Sequence, residues 1–376
     1  MRYLRIFVYS ILILSIAGCV GQRREPTKLS EIEDGVSLVR LWGSSLGDPN
    51  GAVLSPNVSF GRLCAASATV VTCFDVETGR EVTSTNVAFN LTGGVGTLDG
   101  QIFVGGEDGE VLFADAAGQI QWKSVVDTTI MGVPMLVDGV LVARDVRGKV
   151  YGFDSDNGEL RWEYQPPNQS LTLRSAPGFA YSDGTVIVGF PGGAVAAINV
   201  LDGEIRWSGA VSIPSGDNEL ERVSDVLGTP TVADDDTVCL GSYQGRVTCF
   251  DSRTGTPKWS YRASVVGSLA ADDGKIYVSE SNGDISALDL STGSLLWKNE
   301  TMKYRRITGP SVFGPWVVVG DVEGIISMLN SETGDVIGRR KHDGNAILTD
   351  LVVDNDKLIV QDKSGELGVF VLDLSE

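Results

Sequence analysis

No apolar period of the helical kind runs through most of this chain; short runs of alternating apolar and polar residues recur along it instead. Six of them align: Val111-Leu112-Phe113-Ala114-Asp115, Val150-Tyr151-Gly152-Phe153-Asp154, Val195-Ala196-Ala197-Ile198-Asn199, Val247-Thr248-Cys249-Phe250-Asp251, Ile285-Ser286-Ala287-Leu288-Asp289 and Ile326-Ser327-Met328-Leu329-Asn330. A Gly stands six residues before each Asp or Asn (Gly109, Gly148, Gly193, Gly245, Gly283, Gly324), and a second follows by three or four (Gly118, Gly158, Gly203, Gly255, Gly293, Gly334). Trp follows the Asp or Asn by seven or eight in five copies: Trp122, Trp162, Trp207, Trp259 and Trp297. The first Gly predicts a hairpin turn with positive φ and the alternating run a strand. Asp-x-x-Thr-Gly predicts an Asx-type turn, and the Trp a second strand whose indole fills space between sheets.

Two further copies are degenerate. Asp75-Val76-Glu77-Thr78-Gly79 has the turn without the Trp, and residues 365–371 have the hairpin without the Asp. The total is eight at a spacing near 40 residues, with longer insertions between Asp154 and Asn199 and between Asn199 and Asp251. That spacing suits one four-stranded blade, so the fold expected is an all-β, eight-bladed propeller of antiparallel blades. The chain ends before an eighth Trp strand, and Val39-Arg40-Leu41-Trp42-Gly43 matches the missing piece. The N-terminal strand is therefore expected to pair with the strand around Val369 to Leu372 and close the ring, hiding sheet edges.

The first residues read as an address. Arg2 and Arg5 precede the apolar stretch Ile6 to Leu14, which is too short to span a bilayer, and Ile16-Ala17-Gly18-Cys19 resembles the bacterial lipobox, whose Cys becomes a lipidated N-terminus. Val20 is not the Asp that in such lipoproteins tends to retain the product in the inner membrane, which favours the periplasmic face of the outer membrane. The expected division is a signal peptide over 1–18, a lipidated polar tether over 19–35 and the propeller over 36–376.

Charge narrows the function. Thirty Lys plus Arg against 49 Asp plus Glu give a net charge of −19, which disfavours nucleic acid. A single histidine, His342, read as a loop residue, removes most histidine-based catalysis. Asp154-Ser155-Asp156-Asn157-Gly158 is set aside as a calcium loop because its Gly comes one position early and the segment recurs as an ordinary blade turn.

The Asp-x-x-Thr-Gly-x-x-x-Trp repeat resembles that of the pyrroloquinoline-quinone-type propellers over residues 36–376. The resemblance implies fold more than activity, because the repeat builds both quinone dehydrogenases and cofactor-free proteins. The dehydrogenase alternative wants a calcium-held quinone, and in the alcohol enzymes an adjacent Cys pair that this sequence lacks. A propeller binding glycan or peptidoglycan is the other alternative, and its aromatics would sit in loops rather than at repeat positions.

The two insertions carry a narrower resemblance. Ser170-Leu171-Thr172-Leu173-Arg174-Ser175-Ala176-Pro177 and Glu219-Leu220-Glu221-Arg222-Val223-Ser224-Asp225-Val226-Leu227-Gly228-Thr229-Pro230 are similar to two loops of the BamB family, outer-membrane lipoproteins of the β-barrel assembly machinery. The resemblance implies a non-enzymatic scaffold with no cofactor and no metal. It implies docking on the periplasmic domains of BamA through Leu171, Leu173, Arg174 and Asp225, association with other barrel-assembly components, and contact with unfolded barrel substrates. Leu227 stands where the family pattern has a second Asp, which leaves part of the polar contact open. The residues alone agree, since two leucines alternating with polar residues in a long loop beside an Arg make an exposed anchor.

With Cys19 lipidated, four cysteines remain. Cys64 and Cys73 straddle one hairpin and Cys239 and Cys249 another, two pairs in equivalent places of the repeat. Cross-strand disulfides, allowed in an oxidising periplasm, and four buried thiols both fit this spacing.

Overall fold

The computed structural model describes residues 25–32, 35–166, 171–173 and 177–373. Eight four-stranded antiparallel sheets follow one another along the chain, blades 1 to 7 at 57–86, 91–125, 135–164, 180–210, 231–263, 270–299 and 311–341. Blade 8 combines 352–372 with Leu38–Ser45 from the other end of the chain. In each of blades 1 to 7 the first strand lies innermost, against the first strands of neighbouring blades, and the fourth is the outer edge. The closing register runs from Leu38 opposite Leu372 to Ser45 opposite Glu366, with Trp42 opposite Val369 and a bulge between Arg40 and Trp42. Closure by the N-terminal strand is thus as expected.

Each repeat element has a visible task. In the Asx turns Asp75, Asp251 and Asp289 accept hydrogen bonds from the backbone N–H and hydroxyl of Thr78, Thr254 and Thr292, at 2.7–2.9 Å. Those bonds hold the Asp75 and Asp251 carboxyls below the ordinary range, and the Ser291 hydroxyl at 2.6 Å together with Thr292 does the same for Asp289. Each repeat Trp crosses to the next blade, where its indole N–H donates to the carbonyl of the residue just after the turn's Asp or Asn. Trp122 reaches Ser155, Trp162 Val200, Trp207 Ser252, Trp259 Leu290 and Trp297 Ser331, at 2.6–2.9 Å. The ring lies on the turn glycine: a Cβ on Gly158 would meet the Trp122 indole at 2.5 Å, and one on Gly255 would meet Trp207 at 2.5 Å. Trp42 repeats the arrangement across the closure, donating to Val76 at 2.9 Å and covering Gly79.

Three details add to or depart from the sequence expectation. In blade 5 the positive φ falls on Gln244 at 50°, and Gly245 begins the strand Gly245–Asp251 instead of forming the turn. His342 lies in the loop after the strand Val336–Lys341, as expected, but is buried there, packed edge-on to Phe370 with its Nε2–H donating to the Glu366 carbonyl at 3.1 Å. Part of the stretch expected as a polar tether is seated on the ring. Thr27 donates to the Lys303 carbonyl, Arg305 and Arg339 donate to the carbonyls of Thr27 and Ser30, and Leu29 packs on the core between blades 6 and 7. Cys19 and the signal segment lie outside the described residues.

Two outcomes are expected. Deleting residues 36–45 exposes the edge of blade 8 and removes the Trp42 contact, so soluble monomer is lost, whereas Trp42→Ala alone costs about 2–3 kcal/mol in denaturant titration. Burial, aided by the nearby Arg40 charge, pushes the His342 imidazole below its ordinary value, opposed by Glu366, Asp362 and Asp343. The unfolded chain therefore takes up this proton more readily, and the stability carried by neutral His342 is complete above pH 6.5 and is lost as the pH falls through the depressed folded value. His342→Gln should show a smaller drop in melting temperature from neutral to mildly acidic pH than the parent.

Candidate partner-docking site

The second and fourth strands of each blade run the same way and end on one face of the ring, where the connections between blades share space with the turns between second and third strands. The two insertions are consecutive connections on this face, at 165–179 between blades 3 and 4 and at 211–230 between blades 4 and 5. Their adjacency was required by the sequence reading, and it follows from ring order.

Leu171 and Leu173 are exposed, at 43% and 39%. Asp225, expected to face a partner, is 2% exposed and works from beneath. Its Oδ2 accepts the Leu173 backbone N–H at 2.6 Å and its Oδ1 accepts the Gly192 N–H at 2.8 Å, which Gly192 aims inward by its φ of 72°. Its own carbonyl accepts from Tyr243 N–H at 2.8 Å, tying the loop to blade 5. Asp225 thus holds the leucine segment from beneath, rather than presenting its carboxylate at the surface as the sequence reading expected. Arg174 lies outside the described residues.

The floor under this segment holds a buried cation that sequence reasoning missed. Arg144 of blade 3 is buried, donates to the Gly189 carbonyl at 2.8 Å and lies over the Phe190 ring at 5.3 Å. Burial lowers its guanidinium to about 10, while Asp145 and Asp225 oppose that loss, so it stays charged at neutral pH. An Arg at the end of a strand carried no sequence signal, because its partners come from another blade. Ile213 and Leu220, at 81% and 72%, are the most exposed large apolar residues of the second insertion. Its tip is braced internally, with Glu221 accepting from Asn218 and Asp217 and Arg222 donating to the Gly216 carbonyl at 3.0 Å. Leu220 stood in the matched loop and its apolar character was the available signal.

Leu227 points elsewhere. It lines an axial cavity of about 380 Å³ together with Gly132, Gly178, Gly228, Gly267 and Asp350. Asp350 is the one titratable side chain among the described residues of that lining. Both its oxygens already accept backbone N–H groups, from Gly309 at 2.6 Å and Ser268 at 3.2 Å. Burial raises its carboxyl against those bonds. A calcium-held quinone needs several oxygen donors, and this lining does not fit one. Among the described residues no group of three or more His, Cys, Asp or Glu could hold a metal.

The cysteines face each other in register, Cys64 opposite Cys73 and Cys239 opposite Cys249, with Cα atoms 4.0 and 4.1 Å apart and sulfurs at bonding distance. We propose that both pairs are disulfides in the mature protein. Alkylation of denatured, unreduced protein is then expected to label none of the four, and labelling of all four would leave buried thiols as the answer.

A family model described as outer membrane protein assembly factor BamB matches residues 67–299 and 281–374. A Bordetella pertussis protein of that name is 33% identical over 94% of each chain. The crystal structure of BamB from Moraxella catarrhalis superposes with a TM-score of 0.83 at 26% identity, covering 89% of this chain and all of that one. A quinohemoprotein alcohol dehydrogenase from Pseudomonas putida HK5 shares the fold alone, at TM-score 0.68 and 15% identity, covering 94% of this chain and 79% of that one. The chain therefore belongs to the family of outer membrane protein assembly factor BamB, and its propeller is that of a non-enzymatic assembly factor.

Proposed function

We propose that this chain is a lipid-anchored scaffold at the periplasmic face of the outer membrane, which docks on the periplasmic domains of BamA. The observation that carries the reading is the Asp225 carboxylate beneath Leu173, which holds the backbone of a segment carrying two exposed leucines. An ordered apolar pair loses less entropy on binding than a mobile one, and a charged neighbour such as Arg174 adds direction. Lipidation of Cys19 keeps the ring near its membrane-embedded partner. Other barrel-assembly components are expected to be held through that partner. The outer strand edges of the blades offer unfolded barrel substrates a place to add a strand.

The test is co-purification from membranes. Leu171→Ala with Leu173→Ala, or Arg174→Glu, should remove BamA from the isolate at an unchanged melting temperature, a binding loss of a few kcal/mol, on the order of that for central interface anchors. Asp225→Ala should also weaken binding but cost about 1–3 kcal/mol of stability, because it leaves buried N–H groups unpaired. Lys363→Ala, on blade 8, should change neither. Normal BamA recovery with the leucine and Arg174 variants would overturn the docking site.

A further inference from the structure

We propose that the face of the ring opposite the insertions carries, on blades 1 to 4, a second protein-binding surface, which takes an extended segment whose apolar side chains alternate with Lys or Arg. The turns between first and second strands end on this face. In five blades the turn contains an Asp or Asn of positive φ, namely Asp99, Asp138, Asp183, Asp273 and Asn355 at 45–54°. Blade 1 has Phe60 there, at 49°. Asp and Asn adopt this conformation readily because their side chains bond to nearby backbone, whereas a bulky aromatic is strained in it. Phe60 is also 83% exposed, so little packing within the chain offsets the strain. A strained, solvent-facing aromatic on a braced turn has the character of a contact residue. The bracing comes from blade 2: Ser59 Oγ accepts the Asp99 N–H at 3.1 Å, and Arg62 donates to the Ala116 carbonyl at 2.7 Å.

An apolar recess adjoins this turn. Leu98, next to Asp99 and 41% exposed, lines a cavity of about 290 Å³ with Met135, Leu136 and Phe179, and Asn57 of blade 1 lines it too. The surroundings are acidic beyond the average of the chain. The turns of blades 1 to 4 on this face, at 59–62, 75–81, 98–101, 115–120, 137–140, 154–161, 182–185 and 199–206, hold twelve Asp or Glu, four Arg and no Lys. Three of the four Arg are engaged, Arg62 on Ala116, Arg161 on Asp154 at 2.6 Å and Arg206 on the Asp183 carbonyl at 3.1 Å. Asp99, Asp138 and Asp183 are exposed beside the recess and form no ion pair with another described residue. Apolar anchors in an acidic rim select a partner that is apolar and basic at once, and reject an acidic one. Lying on the other face, this surface stays open while the insertions are occupied.

Fluorescence anisotropy tests this with the mature, lipidated protein in phosphatidylcholine nanodiscs, empty nanodiscs being the blank. The probes are a labelled Lys-Phe-Lys-Leu-Lys-Phe-Lys peptide and a Glu-Phe-Glu-Leu-Glu-Phe-Glu peptide of equal apolar content. Only the basic peptide should bind. Phe60→Asn, which suits the turn and should keep or raise the melting temperature, should weaken it about fivefold or more, and Leu98→Ser should act likewise. Asp138→Asn with Asp183→Asn should weaken it and flatten its salt dependence. Leu171→Ala with Leu173→Ala should leave peptide binding unchanged, and Phe60→Asn should leave BamA co-purification unchanged, so the two surfaces fail separately. No binding of the basic peptide, equal binding of both peptides, or equal binding by Phe60→Asn and the parent would overturn the proposal. A dimer in sedimentation velocity that Phe60→Asn dissolves would assign the surface to a second copy of this chain and overturn it as well.

Discussion

The ring depends on one contact repeated from blade to blade, an indole laid on the glycine of the next blade's turn with its N–H bonded to that turn's carbonyl. Six tryptophans make it, Trp42 among them. Each burial of an aromatic ring is favourable by itself, and the hydrogen bond prevents the desolvated N–H from cancelling that gain. The glycine is needed because a Cβ would occupy the indole's place, at 2.5 Å for Trp122 over Gly158. Blade-to-blade angle is thereby set by a short-range fit, and copies of one angle add up to a closed ring.

The two junctions without Trp show what the contact requires. Between blades 1 and 2 the receiving turn is one residue shorter, with Gly118 three residues after Asp115, and the register position of the Trp holds Thr83. Thr85 makes the link instead, its hydroxyl donating to the Gly118 carbonyl at 3.1 Å. Between blades 7 and 8 no turn exists to receive an indole, because blade 8 joins the two ends of the chain there. Gly338 takes the Trp position opposite Met328, and Val36 of the incoming segment fills the space, where a Cβ on Gly338 would meet its carbonyl at 2.2 Å. A missing Trp is thus the passage through which the closing strand enters.

This separates what the residues announce from what they conceal. Blade number, turn type, strand order and the closing strand were legible because each depends on residues within one repeat, at spacings short enough to see. The seat of Thr27 and Leu29, the burial of His342 and the turn residue of blade 5 depend on groups brought together by ring closure, and no local pattern encodes them. Asp225 is the instructive case. The resemblance marked it as part of the docking site, while the carboxylate spends both oxygens on backbone N–H groups of Leu173 and Gly192. Its burial beneath the leucines was not legible, because the N–H groups it accepts come from two separate loops.

A propeller face can serve as a binding surface without any change to the blades, because the connections between blades contribute little to the indole contacts that hold the ring. The insertions at 165–179 and 211–230 use that freedom, and their cost is the ordering of long loops. The buried Asp225 carboxylate beneath them offsets it in part, through the Leu173 and Gly192 N–H groups it accepts. Arg144 charged in an apolar pocket is expensive alone, but Asp145 and then Asp225 favour its charge, and the Asp225 carboxylate organises the loop above. Under the proposed docking, stability and binding would be coupled at Asp225 and separable at Leu171 and Leu173, whose side chains lie on the outside of a segment held by its backbone. A surface built this way can change its contact residues without disturbing the fold, provided that the buried carboxylate stays.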